Sequence, residues 1–198
     1  MEYVSIDFET ANTSFDSACA IGLCLFSSEG EELDSYYSLI RPKELVFDTR
    51  CTMVHNLDPY DIANAKSLPE LWPDILAFIG NRPLVAHNAP FDMKVLKASA
   101  ESHNLGGLDN DYYCTLSLSR KMLRLPSYRL SAIAEHFSWT YRAHMALDDA
   151  YVCGLLFSRL CGSALFKKDS FDSFMLERYK PGSSGYPKHI SLESSLLF

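Results

Sequence analysis

The sequence predicts an α/β fold in which a mixed sheet, an antiparallel meander followed by parallel strands, carries helices on both faces. Two observations predict it. Residues 3–40 contain three strand-like stretches with short connections, and beyond residue 68 helical and strand-like stretches alternate. Hairpins followed by β-α-β alternation are typical of such a sheet. The 198 residues, 47% of them hydrophobic, are enough for one domain with its own core.

Five stretches have the character of strands. The first alternates apolar and polar side chains, and a short polar connection between the second and third predicts an antiparallel pair. The fourth is short and apolar, as in a buried strand, and the fifth begins with two tyrosines. These stretches are 3–9, 19–26, 33–40, 83–87 and 112–116.

Four stretches have the pattern of helices. One runs over 68–79 with Pro69 in its first turn, and a second follows Asn88, a residue that favours the N-cap position. The other two cover 130–137 and 146–160. The regular pattern weakens after about residue 162, so we expect a domain over 1–162. Residues 163–198 are then a tail with one further helix, a turn-rich linker and a terminal peptide.

Composition and charge narrow the class of protein. The formal charge of −7 argues against a protein that grips long duplex through lysine and arginine. That argument weakens if several carboxylates bind cations. No apolar run approaches the roughly 18 residues of a membrane span, and the first residues lack a secretory pattern, so we expect a cytoplasmic protein with no membrane partner. The six cysteines show no metal-site spacing and are predicted to be reduced core residues.

Two carboxylates share one face of the first strand. Asp7 and Glu9 are two positions apart, so their side chains project to the same side. Like charges this close are costly unless a cation binds between them. The alternative is the solvent-facing side of an edge strand, and this short pattern alone leaves both open.

A second carboxylate site lies in the segment HNAPFD, residues 87–92. In the helix after Asn88, Asp92 shares a face with Val95 and Leu96, which points its carboxylate towards the sheet. The alternative is an acidic residue in a first turn, where the helix macrodipole favours it.

The third cluster contains His144, Asp148 and Asp149. Five residues along a helix rotate by about 140°, so His144 and Asp149 can meet only if His144 precedes the helix on a loop. Asp149 lies on the small-residue stripe that includes Ala146, which permits close approach to a sheet. We therefore choose Asp149 over Asp148 as the inward carboxylate.

The three clusters together predict a metal site. Each lies at a strand end or a helix start, where α/β sheets place their sites. Four carboxylates without cysteine ligands suit Mg²⁺ or Mn²⁺. Two such ions can hold the attacking and leaving oxygens of a phosphodiester, and a nearby histidine can accept the proton of the attacking water.

The order D-F-E-T, H-N-x-x-F-D and H-x-A-x-x-D resembles the DnaQ-like (DEDDh) 3′→5′ exonucleases, specifically a stand-alone bacterial branch similar to the proofreading epsilon subunit of DNA polymerase III. The resemblance spans about residues 1–160 and includes the segment Tyr128-Arg129-Leu130. It implies a ribonuclease H-like fold. It also implies release of nucleoside monophosphates from single-stranded or frayed DNA 3′ ends, with two Mg²⁺ or Mn²⁺ ions per site.

The resemblance also implies roles for ten residues. Asp7 would bridge the two ions, Glu9 and Asp149 would complete the first ion's ligands, Asp92 would serve the second, and His144 would be the general base. Contacts with the terminal nucleotide are implied for Phe8, Thr10, His87, Asn88 and Phe91.

Two other functions remain open at this stage. An exoribonuclease of the same superfamily, acting on short RNA or RNA 3′ ends, would have the same catalytic residues. Discrimination between DNA and RNA depends instead on how the protein contacts the 2′-OH of the sugar. An interaction module of the replication machinery would use the tail, whose last residues, ESSLLF, resemble peptides that bind the bacterial sliding clamp.

Overall fold

The fold is that of a computed structural model, which describes residues 1–161 and the pair 188–189. Its sheet begins as the predicted antiparallel meander of β1 (Tyr3–Thr10), β2 (Ala18–Phe26) and β3 (Glu32–Leu39). The antiparallel pairing of β2 and β3 confirms the hairpin that the short polar connection predicted.

The other half of the sheet is parallel. It contains β4 (Leu84–Ala86), β5 (Asp111–Cys114) and the two-residue β6 (Lys188–His189). The strand order is β3-β2-β1-β4-β5-β6, so β1 is central rather than an edge strand. β6 lies within the stretch predicted as a tail and joins the sheet beside β5. The remainder of that prediction, including the terminal peptide, lies outside the described residues.

All four predicted helices within the described residues are present, together with three more. The short helices after β3 were not predicted, because they have only seven and four residues and depend on aspartate N-caps at Asp48 and Asp58. The helices are α1 (Thr49–His55), α2 (Pro59–Ile62), α3 (Leu68–Ile79), α4 (Ala89–Ser102), α5 (Thr115–Met122), α6 (Leu130–His136) and α7 (Ala146–Cys161).

Helices cover both faces of the sheet, as predicted. One core cluster joins the sheet to α3 and α4, with Ile6 and Trp72 among its members. The other joins it to α5, α6 and α7, with Tyr3 and Phe157 among its members. Both faces of β1 are therefore buried up to the point where its carboxylates begin. All six cysteines are free thiols, and four are buried in the core as predicted, whereas Cys51 and Cys161 are half-buried.

One local prediction was wrong. The strand predicted over 112–116 ends at Cys114, and Thr115 begins α5. The reason is that β4 ends at Ala86, the last partner of Cys114, so no further ladder is available. Asn88 does occupy the N-cap position of α4, but its side chain makes no capping hydrogen bond. Its backbone is left-handed, with φ 70°, and asparagine tolerates that region better than most residues.

A glycine lets α7 approach the sheet closely. Gly22 on β2 pairs with Asp7 across the ladder, and an added Cβ there would lie 2.2 Å from the carbonyl oxygen of Ala146. Any larger residue would push the first turn of α7 outward. The start of that helix therefore lies directly over the part of β1 that carries Asp7.

Candidate active site

The end of the central strand carries the first two carboxylates. Asp7 and Glu9 project from β1 to the face that α7 covers, and both side chains remain partly open to a cavity. The solvent-facing alternative for this pair is excluded, because β1 has a neighbour on each side and helices over both faces. Two carboxylates thus lie at the edge of a buried core.

The helix after β4 adds the third carboxylate. Asp92, in the first turn of α4, is only 1% exposed, and its Oδ1 accepts a hydrogen bond of 3.3 Å from the backbone N–H of Phe8. This bond fixes the start of α4 against β1 midway between Asp7 and Glu9. Asp92 therefore points at the sheet, as its place on the apolar stripe predicted.

The loop before α7 brings His144 to the same place. His144 precedes the first helical residue, Ala146, and has a left-handed backbone with φ 65°. Such a conformation costs a non-glycine residue about 1 kcal/mol or more. The backbone N–H of His144 donates a 2.6 Å hydrogen bond to Oδ2 of Asp149, which offsets part of that cost. The loop-then-helix arrangement is the one that the spacing of His144 and Asp149 required.

The two neighbouring aspartates of α7 diverge. Asp149 is 8% exposed and faces the cavity. Asp148 points outward and pairs with Arg142, whose Nε donates to it at 2.9 Å. That ion pair holds the loop from its outer side, whereas Asp149 holds it from within. The structure thus places Asp149, and not Asp148, beside the other carboxylates.

These residues surround one cavity of about 410 Å³. Side-chain atoms of Glu9, His144 and Asp149 that can bind a metal lie within 4.8 Å of one another. Asp92 is buried just behind the cavity wall. The cavity is lined by Asp7, Phe8, Glu9, His87, Arg129, Leu130, Ser131, Tyr141, Ala143, His144 and Asp149.

The carboxylates repel one another strongly. Burial raises the pKa of Asp7 well above its usual range, and the charges of Asp92, Asp149 and Glu9 raise it further. Burial, together with the charges of Asp149 and Asp92, raises the pKa of Glu9 to about 8. The pKa values of Asp92 and Asp149 are also raised, by burial first, although hydrogen bonds from backbone N–H groups oppose the change. Such a group of acids is stable in its charged form only with cations, so it fits divalent metal ions.

His87 lines the cavity, but both of its ring nitrogens have partners within the protein. Nδ1 lies 3.0 Å from the hydroxyl of Thr115, and Nε2 lies 2.9 Å from the carbonyl oxygen of Tyr128. Since a carbonyl only accepts, Nε2 carries the proton. Burial lowers the pKa of His87 to about 4, so the ring is neutral. His87 therefore joins the end of β4 to the loop before α6.

Of the other residues expected to contact substrate, Phe8 lines this cavity, whereas Thr10, Asn88 and Phe91 do not. Thr10 and Glu9 line a neighbouring cavity of about 330 Å³, which Arg50 and His55 also line. Asn88 is exposed at the start of α4. Phe91 is 36% exposed, and its ring packs edge-to-face against that of Phe15, with centroids 6.0 Å apart.

Sequence reasoning did not find Tyr141 as a site residue. Its hydroxyl hydrogen-bonds to Asp149, and burial together with that carboxylate raises the pKa of the phenol. Tyr141 lies in an irregular loop without periodicity, and no spacing rule marks it. Arg129 was noted only as part of a sequence resemblance, although its side chain lines the cavity.

Comparison with known proteins finds an exonuclease family and relatives among bacterial DNA polymerase III proteins. The model of the exonuclease family RNase_T matches residues 4–157. The PolC-type DNA polymerase III of Thermotoga petrophila is 32% identical over 162 residues, which cover 79% of this chain but 12% of that protein. The DNA polymerase III subunit epsilon of Aquifex aeolicus is 25% identical over 182 residues, with 91% of this chain and 90% of that protein covered.

Solved structures show the same fold. Exonuclease X in complex with 5′-overhanging duplex DNA superimposes with a TM-score of 0.67 at 20% identity, over 84% of this chain and 95% of that one. Escherichia coli exonuclease I in complex with a dT13 oligonucleotide gives a TM-score of 0.74 at 15% identity, over 90% of this chain and 44% of that one. A 3′-exonuclease that recognises the histone mRNA stem-loop gives a TM-score of 0.69 at 15% identity, over 80% of each chain.

The chain has the ribonuclease H-like fold of these exonuclease structures. The chain belongs to the RNase_T exonuclease family, because the family model covers most of its length. It spans about an eighth of the PolC-type relatives and nearly all of the epsilon relative. Within the described residues, no helix is both long and apolar enough to cross a membrane.

Proposed function

We propose that this protein is a metal-dependent 3′→5′ exonuclease that releases nucleoside monophosphates from single-stranded or frayed DNA 3′ ends. The observation that carries the proposal is that three carboxylates and one imidazole line one cavity. A fourth carboxylate, Asp92 of α4, is buried and bonded to the backbone of Phe8, which also lines that cavity. An all-oxygen set of this kind suits hard divalent cations.

The carboxylates divide the metal-binding work. Asp7, Glu9 and Asp149 would hold one Mg²⁺ or Mn²⁺ ion, and Asp7 and Asp92 would hold a second. The backbone N–H of Phe8 donates to Oδ1 of Asp92 and so orients this carboxylate beside β1. When bound, such ions polarise a phosphodiester and lower the pKa of water.

His144 is the residue best placed to accept a proton. It lies outside the helix, its side chain is exposed to the cavity, and its main chain is held by Asp149. The imidazole can therefore move by rotation of its side-chain bonds while its backbone stays fixed. We propose that a ring nitrogen takes the proton from the attacking water, the usual task of a general base. The closeness of His144 to Glu9 and Asp149 supports this position.

The terminal nucleotide is proposed to lie between the two cavities. Phe8 forms part of the wall of the first cavity, and Thr10 belongs to the second. Asn88 and the exposed ring of Phe91 lie at the start of α4, beside Asp92. An exposed aromatic ring next to a catalytic centre suits stacking with a base.

The activity can be tested with matched DNA and RNA oligomers labelled at the 5′ end. With Mg²⁺ or Mn²⁺, attack from the 3′ end produces a ladder of shortening labelled products, whereas attack from the 5′ end releases the label at once as a mononucleotide. EDTA should stop cleavage. Faster cleavage of DNA supports the proposal, and faster cleavage of RNA supports the exoribonuclease alternative instead.

Asp7→Ala should abolish cleavage and leave the fold intact, as judged by circular dichroism. Asp34→Ala, which removes an exposed carboxylate from β3, is the matched control and should retain wild-type rates. Wild-type activity in Asp7→Ala would contradict the metal-ion mechanism.

A further inference from the structure

Arg129 is a cation in an otherwise acidic cavity. Among the described residues that line the cavity it is the only lysine or arginine. Its side chain is exposed, and no carboxylate of the described residues pairs with it. Its guanidinium has no carboxylate partner among the described residues and is therefore available to a ligand.

The backbone that carries Arg129 is held in place. The preceding residue, Tyr128, gives its carbonyl oxygen to Nε2 of His87 at 2.9 Å. The following residue, Leu130, is 8% exposed and packs in the core beneath α7. His87 itself follows β4, so this bond ties Arg129 to the same sheet that carries Asp7. Arg129 therefore lines the cavity from a fixed backbone position, although its exposed side chain is free to move.

Charge balance indicates what the guanidinium binds. Four carboxylates and two divalent cations neutralise one another, so a nucleic-acid strand adds negative charge that the metal centre does not compensate. Arginine suits phosphate, because its planar group donates two parallel hydrogen bonds. Arg129 belongs to the loop before α6, whereas the carboxylates belong to β1, α4 and α7.

We propose that Arg129, positioned through His87, binds the backbone phosphate next to the one that is cleaved. This inference rests on the proposed function, because it assumes that a strand enters the cavity. A contact with the neighbouring phosphate holds the strand equally in the ground state and in the transition state. Its loss therefore raises KM and the dissociation constant and leaves kcat nearly unchanged.

Arg129→Ala tests the proposal, with Arg124→Ala as the matched control. Arg124 is also an exposed arginine before α6, but it does not line the cavity. Binding of a 5′-labelled oligothymidylate is measured in Ca²⁺, a hard cation with looser geometry than Mg²⁺, and gels verify that the oligomer stays intact. Arg129→Ala should weaken binding about tenfold or more. The slope of log affinity against log salt should become shallower by about 0.7.

A neutral methylphosphonate at single linkages then locates the contact. Placed at the second linkage from the 3′ end, it should weaken wild-type binding as much as Arg129→Ala does. The two changes together should be no worse than either alone, because they remove the same contact. For Arg124→Ala, the effect on binding should simply add to that of the methylphosphonate, whichever linkage carries it.

Additive effects of Arg129→Ala with the methylphosphonate at every linkage would overturn the proposal. So would an unchanged KM with a lower kcat. These results are distinct from a failure of the proposed function, in which the wild-type protein with Mg²⁺ or Mn²⁺ releases no nucleotide at all.

Discussion

Replacing Glu9 by Gln in metal-free buffer should change how the stability of the protein depends on pH. The pKa of Glu9 is raised from an ordinary value of 4.5 to about 8 by burial and by Asp149 and Asp92. Between these pH values the folded protein holds a proton on Glu9 that the unfolded chain has lost. The contribution of Glu9 to the free energy of unfolding is therefore fully present below pH 4.5 and is lost as the pH rises towards 8.

The size of the effect follows from the pKa. One proton corresponds to about 1.4 kcal/mol for each pH unit, which would give about 5 kcal/mol over the whole interval. Since Glu9 is partly exposed to solvent, screening reduces this, and we expect about 2–3 kcal/mol. Gln is neutral at every pH and avoids the loss. Glu9→Gln should thus be more stable than wild type by about that amount at pH 8, and equally stable near pH 5.

Urea unfolding in EDTA at several pH values between 5 and 8.5 measures this difference. Glu135→Gln, which neutralises an exposed glutamate of α6, should follow the wild-type curve. Excess Mg²⁺ should reverse the order, because wild type keeps a ligand that Glu9→Gln lacks and binding to the folded state stabilises it. Parallel curves for Glu9→Gln and wild type in EDTA would refute the proposed crowding of charges.

Three other changes test the site and the tail. His144→Ala should lower the cleavage rate roughly 10²–10⁴-fold with little change in substrate affinity, and loss of affinity with an unchanged chemical step would contradict its role as a base. Asp148→Asn should lower the single-turnover cleavage rate much less than Asp149→Asn, because Asp148 only pairs with Arg142 at the surface. A larger loss of rate in Asp148→Asn would mean that Asp148 is the inward carboxylate. A peptide of residues 188–198 should bind a bacterial sliding clamp in a fluorescence titration if the tail is a docking segment, and no binding at high micromolar clamp would exclude that idea.

The sequence alone was sufficient for the architecture and for the candidate catalytic residues. The meander and the β-α-β alternation were visible because periods of 2 and 3.6 residues reflect which faces are buried. The position of His144 outside α7 followed from helical rotation alone. The carboxylates were recognisable because acids within apolar stretches are rare unless something binds them.

Only the tertiary structure decided how these residues are held. Gly22 brings α7 onto β1, the Phe8 N–H binds Asp92, and His87 binds the carbonyl oxygen of Tyr128. These contacts join residues from 41 to 124 positions apart, in segments that share no local pattern. Periodicity and caps report how a segment lies relative to its own helix or strand. Which segments meet is fixed by packing of the whole core, so Tyr141 and Arg129 became visible as cavity residues only after the chain was folded.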